Sequence, residues 1–157
     1  MKWVFLCCML MAFTGMDPAA GILGDKDSLK LEEKGAVQIT FTGIKSDKGV
    51  IAAGVFLDQP SFEEETPMKS VRFSKNGLKE GVLKTSIELM PGTYGISVLD
   101  DENTNKEMDY NFIGLPKEGF GFSNYYLSGF SKPHFDKFKF DVLLGKTVSI
   151  TIRMRYI

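Results

Sequence analysis

The run Val148-Ser149-Ile150-Thr151-Ile152-Arg153-Met154-Arg155-Tyr156 alternates without a break. Val148, Ile150, Ile152, Met154 and Tyr156 share one side. Ser149, Thr151, Arg153 and Arg155 share the other. A period of two is that of a strand with one wet face and one dry face. Working outward, Phe138, Phe140 and Val142 alternate with Lys137, Lys139 and Asp141, and a turn at 143–146 separates the two segments. Upstream, Val37, Ile39 and Phe41 alternate with Gln38, Thr40 and Thr42 across 35–42. Residues 50–57 form a more continuously apolar strand, expected to be central, in which Gly54 marks a bulge or a close neighbour. Val71 and Phe73 make a short strand, 82–89 a longer one, and 93–99 runs with Tyr94, Ile96 and Val98 aligned. The turn SDKG at 46–49 suits a tight hairpin, and Met90-Pro91-Gly92 reverses the chain. Residues 58–70 form a loop broken by Pro60 and Pro67, and Glu63–Glu65 is a solvated face or a short helical turn.

These seven strands, with no amphipathic helix, specify an all-β domain. Each sheet has one apolar face to bury, so the expectation is a seven-stranded antiparallel β-sandwich, immunoglobulin-like or transthyretin-like, with one long structured loop. Paired hairpins fit the first and last strands, and a Greek-key crossover fits between them. An open barrel is the rival.

The chain has 157 residues, enough for one core. Its formal net charge of -1 gives no bulk attraction to nucleic acid, so no nucleic-acid partner is expected. Thirteen phenylalanines argue for a filled core and against disorder. At the start, Lys2 precedes the apolar run WVFLCCMLMAF, residues 3–13. The run is short for a bilayer span and suits a signal peptide. Residues 1–20 are therefore expected to direct export, with cleavage after Thr14 or Ala20, and a retained N-terminal anchor is the alternative. Residues 21–34 are a charged, flexible lead-in, and 35–157 the β domain. Export leads to the periplasm or the exterior, with no transmembrane span once the signal is removed. Cys7 and Cys8 both lie inside the apolar run, so the mature chain is expected to have no disulfide and no thiolate.

The longest stretch outside the alternating segments is DDENTNKEMDYNFIGLPKEGFGFSN, residues 100–124. From Asp101, oxygen-bearing side chains recur at alternate positions: Asp101, Asn103, Asn105, Glu107 and Asp109. Hard cations take oxygen ligands from alternating positions of a tightly curled loop, and the first three match a calcium loop. Lys106 stands where such a loop wants Gly, and Phe112 where it wants a bidentate Glu. Any Ca²⁺ held here would be weak unless Asp100 or Glu118 folds in. The other reading is a series of Asx-turns with no ion.

The second half of the stretch alternates aromatic with small residues. Either it folds back and plugs one end of the sandwich, or Phe120, Phe122, Tyr125, Tyr126 and Phe130 form a binding surface. No catalytic residue is assigned. His134 has no partner placed by sequence, Ser123 and Ser128 lack a nucleophile elbow, and KEGFGF is no phosphate loop. The adjacent Asp100 and Asp101, at a strand end, are expected to point apart.

The run from Leu99 to Asn124 resembles the hallmark of DUF2141, a family of uncharacterised bacterial exported proteins. The family pattern D-E-N-x-N-x-x-(L/M)-D is met by Asp101, Glu102, Asn103, Asn105, Met108 and Asp109. Its continuation is met by Gly114, Leu115, Pro116, Glu118, Gly119, Phe120, Gly121, Phe122, Ser123 and Asn124, and Pro133-x-Phe135 resembles a further element. Lys106 replaces a usual Gly, and Asp100 a common His. The resemblance spans 36–157 and implies export and a β-rich domain, with no reaction attached. The function expected is a secreted or periplasmic non-enzymatic binding or accessory domain, with a protein or carbohydrate ligand in the envelope and a weakly Ca²⁺-stabilised loop. The alternatives are an envelope hydrolase using Asp100, Asp101, Asp109 or Glu118, and a purely structural envelope domain.

Overall fold

The computed structural model describes residues 34–157. The export segment and most of the lead-in lie outside the described residues. Eight strands form: β1 (Gly35–Thr42), β2 (Val50–Phe56), β3 (Lys69–Ser74), β4 (Leu83–Leu89), β5 (Gly92–Asp101), β6 (Gly119–Phe122), β7 (Lys139–Val142) and β8 (Thr147–Arg153). One short helix, α1 (Gln59–Glu63), precedes β3. Asp58 caps it by accepting the Ser61 N–H at 2.9 Å, and Pro60 sits in its first turn, where no N–H is needed.

The strands make two sheets. In one, β1 lies between β4 and β8; in the other the order is β3-β2-β5-β6, with β7 also on β5. The alternating apolar residues meet between them. Val37, Ile39 and Phe41 from β1, Ile150 and Ile152 from β8, and Leu83 and Leu89 from β4 face Ile51, Val55, Phe73, Tyr94, Ile96 and Val98. Phe41 and Phe73 touch across the gap with ring centres 5.6 Å apart. β2 is central, as its apolar run requires, and a Cβ on Gly54 would meet the Phe56 ring and Pro67.

Three features correct the sequence expectation. First, β1 and β8 pair in parallel, with Ile39 opposite Ile150 and Phe41 opposite Ile152. A parallel pair needs a long crossover, and the rest of the domain supplies it. Second, 46–49 does not close a hairpin. β1 and β2 lie in different sheets, so the turn carries the chain from one to the other. Third, β6 forms inside the stretch expected to be loop. The ten-residue β5 is long enough to hold two four-residue strands end to end on one flank: β7 on Gly92–Gly95 and β6 on Ser97–Asp100.

β6 also fixes the destiny of the aromatic half. Phe122 pairs with Ser97 and Phe120 with Leu99, both on the side of β5 turned away from the main core. There Phe122 joins Phe56, Phe62, Phe135 and Phe138 in a second buried cluster, with Phe120, Tyr125 and Leu127 against it. Phe62 meets Phe138 edge-on at 4.8 Å and Phe56 at 5.3 Å, the geometry that aromatic quadrupoles favour. The segment therefore covers the outer face of a sheet rather than plugging an end. Gly95 is needed beneath it, because a Cβ there would strike both Phe135 and Phe138.

Candidate functional site

β5 ends in two carboxylates on opposite faces. Asp100 stands opposite the core residue Ile51 and so points inward, whereas Asp101 stands opposite Val50 on the outer face. Both are 0% exposed.

Asp100 is held from two sides. Tyr156 Oη donates to its Oδ2 at 2.6 Å and itself accepts the Lys45 N–H at 3.1 Å. The Lys75 ammonium contacts Oδ1 as an ion pair, away from good hydrogen-bond alignment. Lys75 is as deeply buried as its partner, and its remaining protons go to Ser46 O at 2.9 Å and Lys48 O at 2.5 Å. Two carbonyl acceptors and the charge of the facing carboxylate let an ammonium leave water. Burial, and then the hydrogen bond to Asp100, push the Tyr156 phenol well above its ordinary pKa. Gly119 makes room for this ring, since a Cβ there would fall 2.5 Å from Tyr156 Cε1.

Asp101 Oδ2 accepts from Arg72 Nη2 at 2.7 Å, an ion pair that reaches across β2, and from the Lys106 N–H at 3.1 Å. The second contact brings in the loop 102–118. Asn103 Oδ1 accepts the Asn105 N–H at 3.0 Å and Asn105 Oδ1 the Glu107 N–H at 2.9 Å, which makes two successive Asx-turns. The Asn103 and Asn105 amides donate to the two oxygens of Asp109 at 2.6 and 3.3 Å. Lys106 does adopt the left-handed backbone that Gly would fill more cheaply, with φ of 72°.

Glu118 closes the loop at its base. It accepts the Glu102 N–H at 3.2 Å and the Asp109 N–H at 3.3 Å. Burial is the main cause of its raised pKa; those two N–H groups oppose the rise, and the carboxylates of Asp109 and Asp101 add to it. Beyond Asp109 the chain forms a narrow arm: Lys117 N–H donates to Asp109 O at 2.8 Å, and Asn111 Oδ1 caps Ile113 and Leu115. At its tip Phe112 is 99% exposed, with Tyr110 and Ile113 exposed beside it.

Of the oxygen ligands expected from sequence, Asn103, Asn105 and Asp109 come together, and Asp101 is tied to the same loop through Lys106. Glu107 enters through its N–H. Asp100 does not fold in, because its side chain lies on the other face. Glu118 is close but spends both oxygens on the main chain. Among the described residues, no three acidic, imidazole or thiolate side chains are placed to hold a metal ion. Of the expected binding surface, Phe122 is buried and cannot present itself, and Phe120 and Tyr125 are half-buried against the same cluster. Tyr126 and Phe130 are exposed, Phe130 at 78%. Arg153 lies 4.5 Å over the Tyr126 ring, and Arg155 lies 5.5 Å from Phe130 while its Nη1 donates to Leu127 O at 2.7 Å. Tyr126, Arg153, Asn124 and Thr151 line a shallow hollow. Ser123 is no nucleophile here: its buried Oγ accepts the Ile96 N–H at 2.9 Å and donates to Phe138 O at 2.5 Å, which staples β5 to the segment before β7. The sequence pattern does not single out Lys75 or Arg72, although a lysine two residues after a strand's last inward Phe, and so on the same face, is a weak pointer to a buried cation.

Among the described residues, no helix is long and apolar enough to cross a membrane. No curated protein and no solved structure matches the chain. A family model described as an uncharacterized protein conserved in bacteria matches residues 39–151, over the two sheets and the whole of the 102–118 loop. The chain belongs to that family, DUF2141.

Proposed function

We propose that the chain is an exported, non-enzymatic binding or accessory domain of the bacterial envelope, which offers a partner the apolar tip of the arm between β5 and β6. One observation carries this reading. Phe112, almost fully exposed and flanked by Tyr110 and Ile113, is raised on an arm whose base is fastened by buried polar contacts through Glu118. Large apolar side chains held out on a braced loop lose little conformational freedom when a partner covers them. The acidic residues favour binding over hydrolysis. Asp100 and Asp101 are taken up by Lys75, Tyr156 and Arg72, so neither is free to act on a substrate.

The test is cosedimentation of the full chain with an isolated bacterial envelope fraction. The wild type is expected to pellet with the fraction. The double variant Phe112→Ala/Ile113→Ala is expected to stay in the supernatant with an unchanged melting temperature, because neither side chain is packed. Equal pelleting of the two proteins would overturn the tip as the binding element.

A further inference from the structure

We propose that the arm between β5 and β6 is a membrane-inserting element, whose tip carries the Phe112 and Ile113 side chains through the headgroup layer of a lipid bilayer. This rests on the arm being the binding element, and it names lipid as what the arm binds.

The shape of the tip is the first observation. The chain runs out from Asp109 and back to Lys117, tied by the Lys117 N–H on Asp109 O at 2.8 Å and by the pairing of Tyr110 with Pro116. Gly114, at φ of 77°, turns the apex. Phe112, Ile113 and Tyr110 stand exposed there, with Leu115 half-buried beside them. A cluster of large apolar side chains at the end of a projection is poorly placed in water and well placed to enter an apolar medium.

The second observation is where the main-chain donors go. The Asn111 N–H donates to Leu115 O and the Gly114 N–H to Asn111 O, both at 2.9 Å. The Ile113 and Leu115 N–H groups both donate to Asn111 Oδ1, each at 3.0 Å. Pro116 has no N–H. From Asn111 to Lys117, the Phe112 N–H alone lacks an acceptor among the described residues. A segment that satisfies its own donors leaves bulk water at small cost. The same closure leaves little for a protein strand or a glycan to hydrogen-bond.

Size and charge then select lipid. A specific protein interface takes about 800 Å² from each partner. The arm offers four large apolar or aromatic side chains on one narrow turn. A bilayer needs no matching shape, only apolar groups that reach roughly 5–10 Å into the boundary between headgroups and acyl chains. Tyr110, set back from the apex, is an amphipathic ring of the kind that settles at headgroup level. In the loop, Glu102, Glu107, Asp109 and Glu118 outnumber Lys106 and Lys117, so attraction to anionic lipid does not drive the contact.

The experiment places a reporter on the tip. The chain's one tryptophan is Trp3. The full chain carrying Trp3→Phe and Phe112→Trp therefore has a single indole, at the apex, and the apolar run at 3–13 cannot mimic its signal. It is titrated with vesicles of phosphatidylcholine alone. The indole emission is expected to shift to the blue and to be quenched by phosphatidylcholine brominated on its acyl chains. Two apolar side chains anchor more weakly than one myristoyl chain, so half of the change is expected above about 10⁻⁴ M lipid. Adding Ile113→Asp, at an exposed position, is expected to keep the melting temperature and to raise the lipid needed at least about tenfold. Phosphatidylglycerol in the vesicles is expected not to strengthen the response. The proposal is overturned by the absence of both shift and quenching at roughly 10⁻² M lipid. It is also overturned if Ile113→Asp responds as its parent does, or if the response appears only with phosphatidylglycerol. Should the vesicles fail while the envelope fraction still retains the wild type and releases Phe112→Ala/Ile113→Ala, the tip binds a protein or a glycan. The lipid inference then falls and the binding role stands.

Discussion

Asp100 and Asp101 are neighbours in the chain, yet their carboxylates lie on opposite faces of one sheet, each fully buried and each matched by its own cation. Lys75 serves the inner one and Arg72 the outer one. The inner pair is sealed by Tyr156, from the C-terminal segment, and by the turn at 46–49. In the outer pair the 102–118 loop reaches Asp101 through the Lys106 N–H, and Arg72 stays exposed.

The inner network makes the first prediction. Lys75→Met leaves the Asp100 charge buried with only a phenol to answer it, and should cost about 3–5 kcal/mol of stability. Tyr156→Phe removes one hydrogen bond from a carboxylate that keeps its ammonium, and should cost about 1–3 kcal/mol. Urea unfolding midpoints of the two variants measure both. An order with Tyr156→Phe the more damaging would mean that the ion pair contributes less than the phenol.

The second prediction concerns alkaline pH. The Tyr156 phenol ordinarily titrates at 10.0, and in the folded chain its pKa is raised by burial and by Asp100. Above that ordinary value the unfolded chain loses the proton while the folded chain keeps it. The folded state then binds more protons, so its stability falls as pH rises. The contribution is complete below pH 10.0 and declines above it. Wild-type stability should therefore fall more steeply than that of Tyr156→Phe as pH is raised past this point. Parallel curves from urea titrations across the alkaline range would dismiss the phenol as the source.

Lys106 gives the third. Its left-handed backbone, at φ of 72°, sets an L side chain against the neighbouring carbonyl. Lys106→Gly relieves that conflict and keeps the N–H that Asp101 uses. A gain of about 1 kcal/mol is expected, and a rise in melting temperature reports it. A loss instead would show that the Lys106 side chain holds the loop in some other way.

Much of this was legible in the chain itself. The alternation of Val37, Ile39 and Phe41, or of Val148, Ile150 and Ile152, follows directly from the pleat, and so does the divergence of Asp100 from Asp101. The curl at Lys106 was readable from the spacing of Asp101, Asn103 and Asn105. Partners distant in sequence were not. Arg72 lies 29 residues from Asp101, and nothing local links them. The turn at 46–49 encodes a reversal but not which sheet receives the next strand. β6 is hidden in the sequence because Gly119-Phe120-Gly121-Phe122 is short and rich in glycine, which reads as loop. Those glycines are there for Tyr156 and Ile152, whose atoms occupy the space a Cβ would need. Phe122 was misplaced onto the surface for the same reason, since alternation reveals that two faces differ but not what lies over each.

The side-by-side placement of β1 and β8 has a consequence for how the molecule comes into being. The first described strand waits for β8, so β1 stays open along one flank until residues 147–153 have been made. The two sheets cannot be completed strand by strand in chain order, and the domain should form slowly and in a single concerted step once β8 is in place.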